Sequence, residues 1–304
     1  MRLSIILDQM LERSQYEIRN EREFEYLAIT DSELVEPVCT FLDNVKFIEA
    51  VKDNVVMILT TEELAEEIEK RWSGRVGVGI VENPRILFFQ MHNHLANNEE
   101  YVRQKFQTTI GEETNISPLA SIAANNVTIG NNVTIEEFVV VRENTIISDN
   151  TIIRSGSKIG SQGFEFKYDG EKTFAVNHLG GVVLGKDVEI HCNTCVDKAV
   201  YPWDDTVIGD YSKIDNLVHI GHGVKMKDNV MMVSHSSLGG RTILESGVWI
   251  GLHATVTNGI RVGKNARVNI GAVATKSVPD NGSVSGNFAI DHKKFIEHIK
   301  GISK

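Results

Sequence analysis

The stretch Ile208-Gly-Asp-Tyr-Ser-Lys-Ile214-Asp-Asn-Leu-Val-His-Ile220-Gly-His-Gly-Val-Lys-Met226-Lys-Asp-Asn-Val-Met-Met232 puts an aliphatic residue at every sixth position. The beat runs backward through Ile129, Ile135, Val141, Ile147, Ile153, Ile159, Leu184 and Ile190. It runs forward through Leu238, Leu244, Ile250, Val256 and Val262 to Val268. A small or β-branched residue often stands four places after the beat, as at Val133, Val139, Thr145, Thr151, Ser157 and Thr194. A spacing of six fits neither an α-helix nor a lone strand. It predicts a β-solenoid in which each short strand supplies one wall of a coil. With three such units per coil, residues 18 apart in sequence stack.

The chain has 304 residues, of which 41% are hydrophobic, enough for one or two cored domains and a tail. Its net charge of -10 and pI near 5.5 exclude the basic face that nucleic acid needs. No apolar run reaches the length of a membrane span, and Leu3–Leu7 is too short for a signal-peptide core. A cytoplasmic protein is expected. The three cysteines, Cys39, Cys192 and Cys195, form no disulfide framework. Cys192 and Cys195 lie inside the beat, where packing is the expectation over redox or zinc chemistry. No metal site is expected.

Residues 1–112 lack the beat and read as a small α/β domain. Val55–Leu59 reads as a buried strand, Thr60 and Glu63 as a capping box opening a helix through Trp72, and Pro84 as the start of a second helix. Residues 113–285 read as the solenoid, interrupted by an insert over 160–181 that carries Phe164, Phe166, Tyr168 and Phe174. A smaller irregularity surrounds Pro202 and Trp203. Residues 286–304 read as a short amphipathic C-terminal helix. A solenoid with unburied faces predicts a closed homo-oligomer.

His222 follows the beat residue Ile220 and faces outward, seven residues after Asp215. A histidine oriented by a carboxylate on a rigid scaffold suits a general base. Steps of 18 from His222 reach Gly240, Asn258 and Lys276. Gly240 leaves a backbone N–H free to meet an oxyanion. Lys276 would lie three coils away, roughly 14 Å at the usual strand spacing, which suits a phosphate at the far end of an extended thioester arm. His235 and His253, also 18 apart, should stack in a neighbouring column. They fit the lining of a donor channel and a plain surface pair equally well. His219 is a candidate acceptor contact.

The runs Val188-Glu-Ile-His-Cys-Asn-Thr-Cys-Val-Asp-Lys-Ala199, Asp204-Asp-Thr-Val-Ile-Gly209 and Lys213-Ile-Asp-Asn-Leu-Val-His-Ile-Gly-His-Gly-Val224 resemble the left-handed β-helix sugar N-acyltransferases, above all the branch that acts in lipid A (lipopolysaccharide) synthesis. The insert Ile159-Gly-Ser-Gln-Gly-Phe164-Glu-Phe resembles that family's glycine-aromatic loop, and Phe164 becomes an acceptor-side candidate. The resemblance implies a homotrimer, with His222 as base, Asp215 as orienting acid and Gly240 as oxyanion amide. It also implies a nucleotide site at Phe41, Asn44 and Phe47, with the aromatics holding uracil. From the residues alone, both phenylalanines could equally be core.

The chain departs from the lipid A branch in three places. Gly259 and Arg267 replace two histidines, Phe47 replaces a tyrosine, and the tail after Gly286 is short. The solenoid end Gly271-Ala-Val-Ala-Thr-Lys-Ser-Val-Pro-Asp280 instead resembles acetyltransferases that use acetyl-CoA. The expectation is therefore direct transfer of an acyl group, acetyl foremost, from acyl-CoA to the amine of a UDP- or dTDP-linked amino sugar, with no tightly bound cofactor. Two alternatives stand beside it: the lipid A reaction itself, from hydroxyacyl carrier protein to UDP-3-O-acylglucosamine, and a non-catalytic nucleotide-sugar-binding solenoid.

Overall fold

A computed structural model describes residues 1–304 except Asp31, Asn287, Ser303 and Lys304. The chain forms two compact units. One comprises residues 1–106, 162–180 and 199–204; the other comprises 107–161, 181–198 and 205–304.

The second unit is a left-handed parallel β-helix. Its three walls are parallel sheets of eight, nine and eight strands. The first wall starts at Thr109–Ile110, the second at Asn115–Ile116 and the third at Ser121–Ile122. Successive coils then pair at a spacing of 18, as in Lys213↔Met231, His219↔Ser237 and Lys225↔Ile243. The beat residues form one continuous aliphatic core, with Ile153, Ile159, Ile190, Ile214, Ile220 and Leu238 fully buried. Most positions four residues on are buried too, and at three polar ones the hydroxyl bonds to a carbonyl of the next coil, although among the described residues the buried Ser236 hydroxyl has no such bond. Thr151 donates to Gly185 O at 3.0 Å, Ser157 to His191 O at 2.7 Å and Thr194 to Asp215 O at 2.8 Å. At Thr151, Ser157 and Thr194 the hydroxyl therefore ties one coil to the next.

Corners turn through left-handed backbone, which explains the recurring asparagines: Asn132, Asn150, Asn229 and Asn265 all have φ between 53 and 61°. At the first-to-second corner, carboxylates staple neighbouring coils. Asp149 Oδ1 accepts from Asn131 N at 2.8 Å, and Asp228 Oδ1 from Asp210 N at 3.0 Å.

Both interruptions of the beat fall at the third-to-first corner. Lys158 pairs with Cys195 across the first excursion, residues 162–180, and Cys195 pairs with His219 across the second, residues 199–204. Each time the chain returns to the same wall in register. The final coil is different. Arg267↔Ser283 and the bridge Val262↔Val278 are spaced by 16. The C-terminal helix spans His292–Ile302, beginning later than the expected 286, with Phe295 and Ile296 exposed along it. Of the expected 286–304 segment, Asn287, Ser303 and Lys304 lie outside the described residues.

The first unit holds a five-stranded sheet built from Glu17–Arg19, Tyr26–Leu27, Val38–Leu42, Val55–Thr60 and Gly77–Ile80. The excursion 162–180 adds a hairpin, Phe166–Tyr168 with Thr173–Ala175. Val176, Val200 and Tyr201 join Leu59, Phe88 and Tyr101 in its core. Both excursions are therefore structural parts of this unit. The helix after the buried strand spans Glu62–Trp72, but Thr61 occupies the N-cap. Thr60 is the last strand residue and donates its hydroxyl to Leu42 O at 2.8 Å, so the expected capping box does not form there. The second helix, Pro84–Leu95, is capped by Asn83, whose Oδ1 accepts from Ile86 N at 3.2 Å.

Candidate active site

His222 sits at the third-to-first corner, two residues after the strand His219–Ile220. Gly221 and Gly239 let successive coils close tightly there. A methyl group on Gly239 would stand 2.5 Å from Asn258 N. Gly240 lies directly against the imidazole, and a Cβ built on it would be 2.6 Å from His222 Nε2. Backbone bonds link this corner file, Arg241 N to His222 O at 2.9 Å and Gly259 N to Gly240 O at 3.0 Å. His222, Gly240 and Asn258 thus stack as the count of 18 requires. The Nδ1 atom of His222 is buried, whereas Nε2 is the edge that meets Gly240.

Asp215 is not beside His222 in this chain. It follows the second-wall strand Lys213–Ile214 and occupies the second-to-third corner. Its Oδ1 accepts from Asn216 N at 2.7 Å and its Oδ2 from Ser234 N at 3.0 Å. Seven residues span more than one hexapeptide, so the intervening strand carries the chain to the next corner. Within the chain Asp215 thus staples the second-to-third corner, away from His222.

A carboxylate absent from the sequence reading, Asp197, approaches His219. It ends the third-wall strand Cys195–Asp197, one coil before His222, and is 6% exposed. Its Oδ2 is 3.7 Å from His219 Nε2. Burial pushes its carboxyl up to about 7, while the nearby His222 pulls the other way. Burial, with His222 alongside, lowers the His219 imidazole below its ordinary value. Thr206 Oγ1 donates to Asp197 O and accepts from Gly223 N at 2.8 Å, tying the two coils together beside the site. Asp197 was hidden because the excursion 199–204 breaks the count of 18 between its coil and that of His222. Wall register across the break, with Cys195↔His219 and Val196↔Ile220, continues to Asp197 level with Gly221, one residue before His222.

The far end of the column also shifts. Thr255↔Val273 keeps the regular spacing, but the bridge Val262↔Val278 is shorter by two, so Lys276 sits in a contracted corner and not in a simple continuation of the file. His235 and His253 do stack, with ring centroids 4.7 Å apart at 27°, and both have left-handed backbone. Ser234 Oγ lies 2.7 Å from His235 Nδ1. They occupy the second-to-third corner with Asp215 and not the corner of His222. Cys195 is on the third wall next to His219, and burial raises its thiol. Among the described residues no group of three or more His, Cys, Asp or Glu side chains could hold a metal ion.

In the first unit, Phe41 packs one side of its ring on Phe88 at 5.0 Å and Phe89 at 6.0 Å, with the Arg85 guanidinium 6.0 Å from its centroid. Asn44 caps the short helix Val45–Ala50 through an Oδ1 that accepts from Lys46 N at 3.0 Å. Phe47 is 44% exposed, with Lys46 Nζ 4.8 Å over its ring. Phe164 is 89% exposed, 4.8 Å from the ring of Phe166, and belongs to this unit.

Residues 126–161 match the family model described as bacterial transferase hexapeptide (six repeats). A UDP-3-O-acylglucosamine N-acyltransferase of Delftia acidovorans is 34% identical over 143 residues, which are 45% of this chain and 40% of that protein. One of the same name from Caulobacter sp. is 33% identical over 150 residues, 49% of this chain and 44% of that protein. The chain thus matches less than half the length of these relatives. The UDP-N-acetylglucosamine acyltransferase of Campylobacter jejuni has the same fold at a TM-score of 0.54 and 19% identity, covering 64% of this chain and 79% of that one. Among the described residues no helix is long and apolar enough to cross a membrane. The chain is a left-handed hexapeptide β-helix protein that resembles the UDP-3-O-acylglucosamine N-acyltransferases.

Proposed function

We propose that the protein is an enzyme that N-acylates a nucleotide-linked amino sugar. The observation that carries this reading is the imidazole of His222, held against the side-chain-free backbone of Gly240 at a β-helix corner. The attacking amine forms a bond to the carbonyl carbon of an acyl thioester. His222 Nε2 takes the amine proton as the tetrahedral intermediate forms, and the Gly240 N–H faces the oxyanion. Collapse breaks the carbon–sulfur bond, and the proton passes to the leaving thiolate. No covalent acyl-enzyme is required.

The names of the relatives support UDP-3-O-acylglucosamine as acceptor ahead of the UDP- or dTDP-sugar acetylation expected from the solenoid end. Phe41, Asn44 and Phe47 are the proposed uridine-binding residues, with His219 and Phe164 on the acceptor side. Asn258, Lys276, His235 and His253 stay as proposed donor contacts, and the assembly as a homotrimer.

The test is turnover of UDP-3-O-acylglucosamine with hydroxyacyl carrier protein against acetyl-CoA. His222→Ala should lower the turnover with the productive donor by roughly 10²–10⁴-fold. Near-normal turnover in that variant refutes the base assignment. Productive transfer from acetyl-CoA alone, to a different amino sugar, would restore the acetyltransferase reading.

A further inference from the structure

We propose that the C-terminal helix is a membrane-surface anchor, which lays its apolar face on an anionic phospholipid bilayer. The proposal is independent of the reading of His222 and of the acyl-transfer chemistry.

The helix His292–Ile302 and the stretch leading into it hold five large apolar side chains in solvent. Phe288 and Ile290 are 64% and 55% exposed, and Phe295, Ile296 and Ile299 are exposed along the helix. None of the five enters the aliphatic core of the β-helix. At about 100° per residue, Phe295, Ile296 and Ile299 fall on one face. Lys293 and Lys300 flank that face on one side and His298 flanks it on the other. Glu297, the one carboxylate of the helix, lies opposite, with Lys294. Asp291, just before the helix, turns its Oδ1 to the first turn, accepting from Lys293 N at 3.1 Å and Lys294 N at 3.4 Å.

The helix therefore carries three lysines against one glutamate, a charge of +2, on a chain whose net charge is -10. An interfacial helix sinks its bulky apolar groups below the headgroups, keeps cations at headgroup level and turns anions to water. Phe295, Ile296 and Ile299 below, Lys293 and Lys300 at the edge and Glu297 above follow that order. The rest of the chain is acidic, so an anionic surface repels it and attachment is confined to this segment. The apolar strip also runs from the extended lead-in at Phe288 and Ile290 onto the helix. A fluid bilayer accepts such a strip without a matching groove.

The experiment floats the full-length protein with vesicles of phosphatidylcholine and phosphatidylglycerol in equal parts, and with vesicles of phosphatidylcholine alone, at low and high salt. The wild type should partition at least about tenfold more strongly to the anionic vesicles at low salt, and high salt should remove most of that difference. Phe295→Ser with Ile296→Ser strips the apolar face, and Lys293→Glu with Lys300→Glu reverses the charge of its edge. Each pair should cut binding to the anionic vesicles about tenfold while the melting curve stays that of the wild type, since these side chains are exposed. If one pair fails to fold, the other decides. Equal binding of the wild type and the variants, or no binding of the wild type to either vesicle, overturns the proposal. A protein that ignores vesicles but falls apart in light scattering when Phe295 and Ile296 are changed uses this face for a second copy. One that ignores vesicles but binds an acidic acyl carrier protein through Lys293 and Lys300 uses it for that partner. Both results overturn the membrane reading, and none of them depends on turnover.

Discussion

A methyl group on Gly240 would collide with three atoms of the His222 ring, at 2.6, 2.8 and 3.0 Å. The ring must then turn away from the corner file. Gly240→Ala is expected to lower kcat at least tenfold while leaving the thermal midpoint within a few degrees, because the ring can yield and the backbone cannot be said to be strained. Activity assays paired with melting curves check this. Asp197 behaves differently. Its folded carboxyl titrates near 7, above the ordinary 3.8. The folded state therefore holds a proton that the unfolded chain has released between those values. Stability is greatest below about pH 4 and declines as pH rises through 7, by up to about 4 kcal/mol if the whole shift is expressed. Asp197→Asn cannot ionise, so it should melt higher than wild type at pH 8, with the gap narrowing as pH falls and closing below about pH 4. His222 and Gly240 were legible in the sequence because they share a corner 18 residues apart. Asp215 lies at another corner of the chain because seven residues span more than one hexapeptide, and Asp197 falls off the count of 18 because six residues of excursion intervene.

The strand-and-corner unit explains why so much of the fold could be read from the beat alone. Each wall position is fixed by an aliphatic residue pointing inward, and each coil repeats it. The excursions 162–180 and 199–204 were visible as breaks, but their destination was not: Val176, Val200 and Tyr201 are core residues of the other unit. Nothing in a local pattern records which distant hydrophobic surface a loop will join. The register yields a direct prediction. Joining Ser161 to Gly181 and Lys198 to Asp205 restores six-residue spacing between Ile159 and Leu184 and between Val196 and Ile208. Such a shortened chain should keep the β-sheet circular dichroism and a cooperative melt of the β-helix. It should lose protection from hydrogen exchange in residues 1–106, whose core has been depleted. Loss of the β-helix itself would show that the excursions hold the coils in register.

At the scale of the whole molecule, the two units respond to pH in opposite directions. His92, fully buried in the first unit between Tyr101 Oη at 3.0 Å and Asn177 O at 2.8 Å, is lowered to about 4 by burial. Below the ordinary value near 6.5 the unfolded chain takes a proton that the folded unit refuses. The stability of that unit is thus full above 6.5 and is lost as pH falls through 4, on the order of 3 kcal/mol. Hydrogen exchange followed separately in the two units from pH 8 to pH 5 should show residues 1–106 loosening first under acid. Equal loosening of both units would contradict this assignment. The contracted last coil has a wider consequence. A regular solenoid ends in three open strand edges, each ready to accept the next identical rung. Here the closing rung is two residues short and contains Pro279, so its edge no longer matches the pitch of a second molecule. The taper acts as a stop against fibre growth. A chain cut after Ala274 would present an unblunted template and should assemble end to end into filaments.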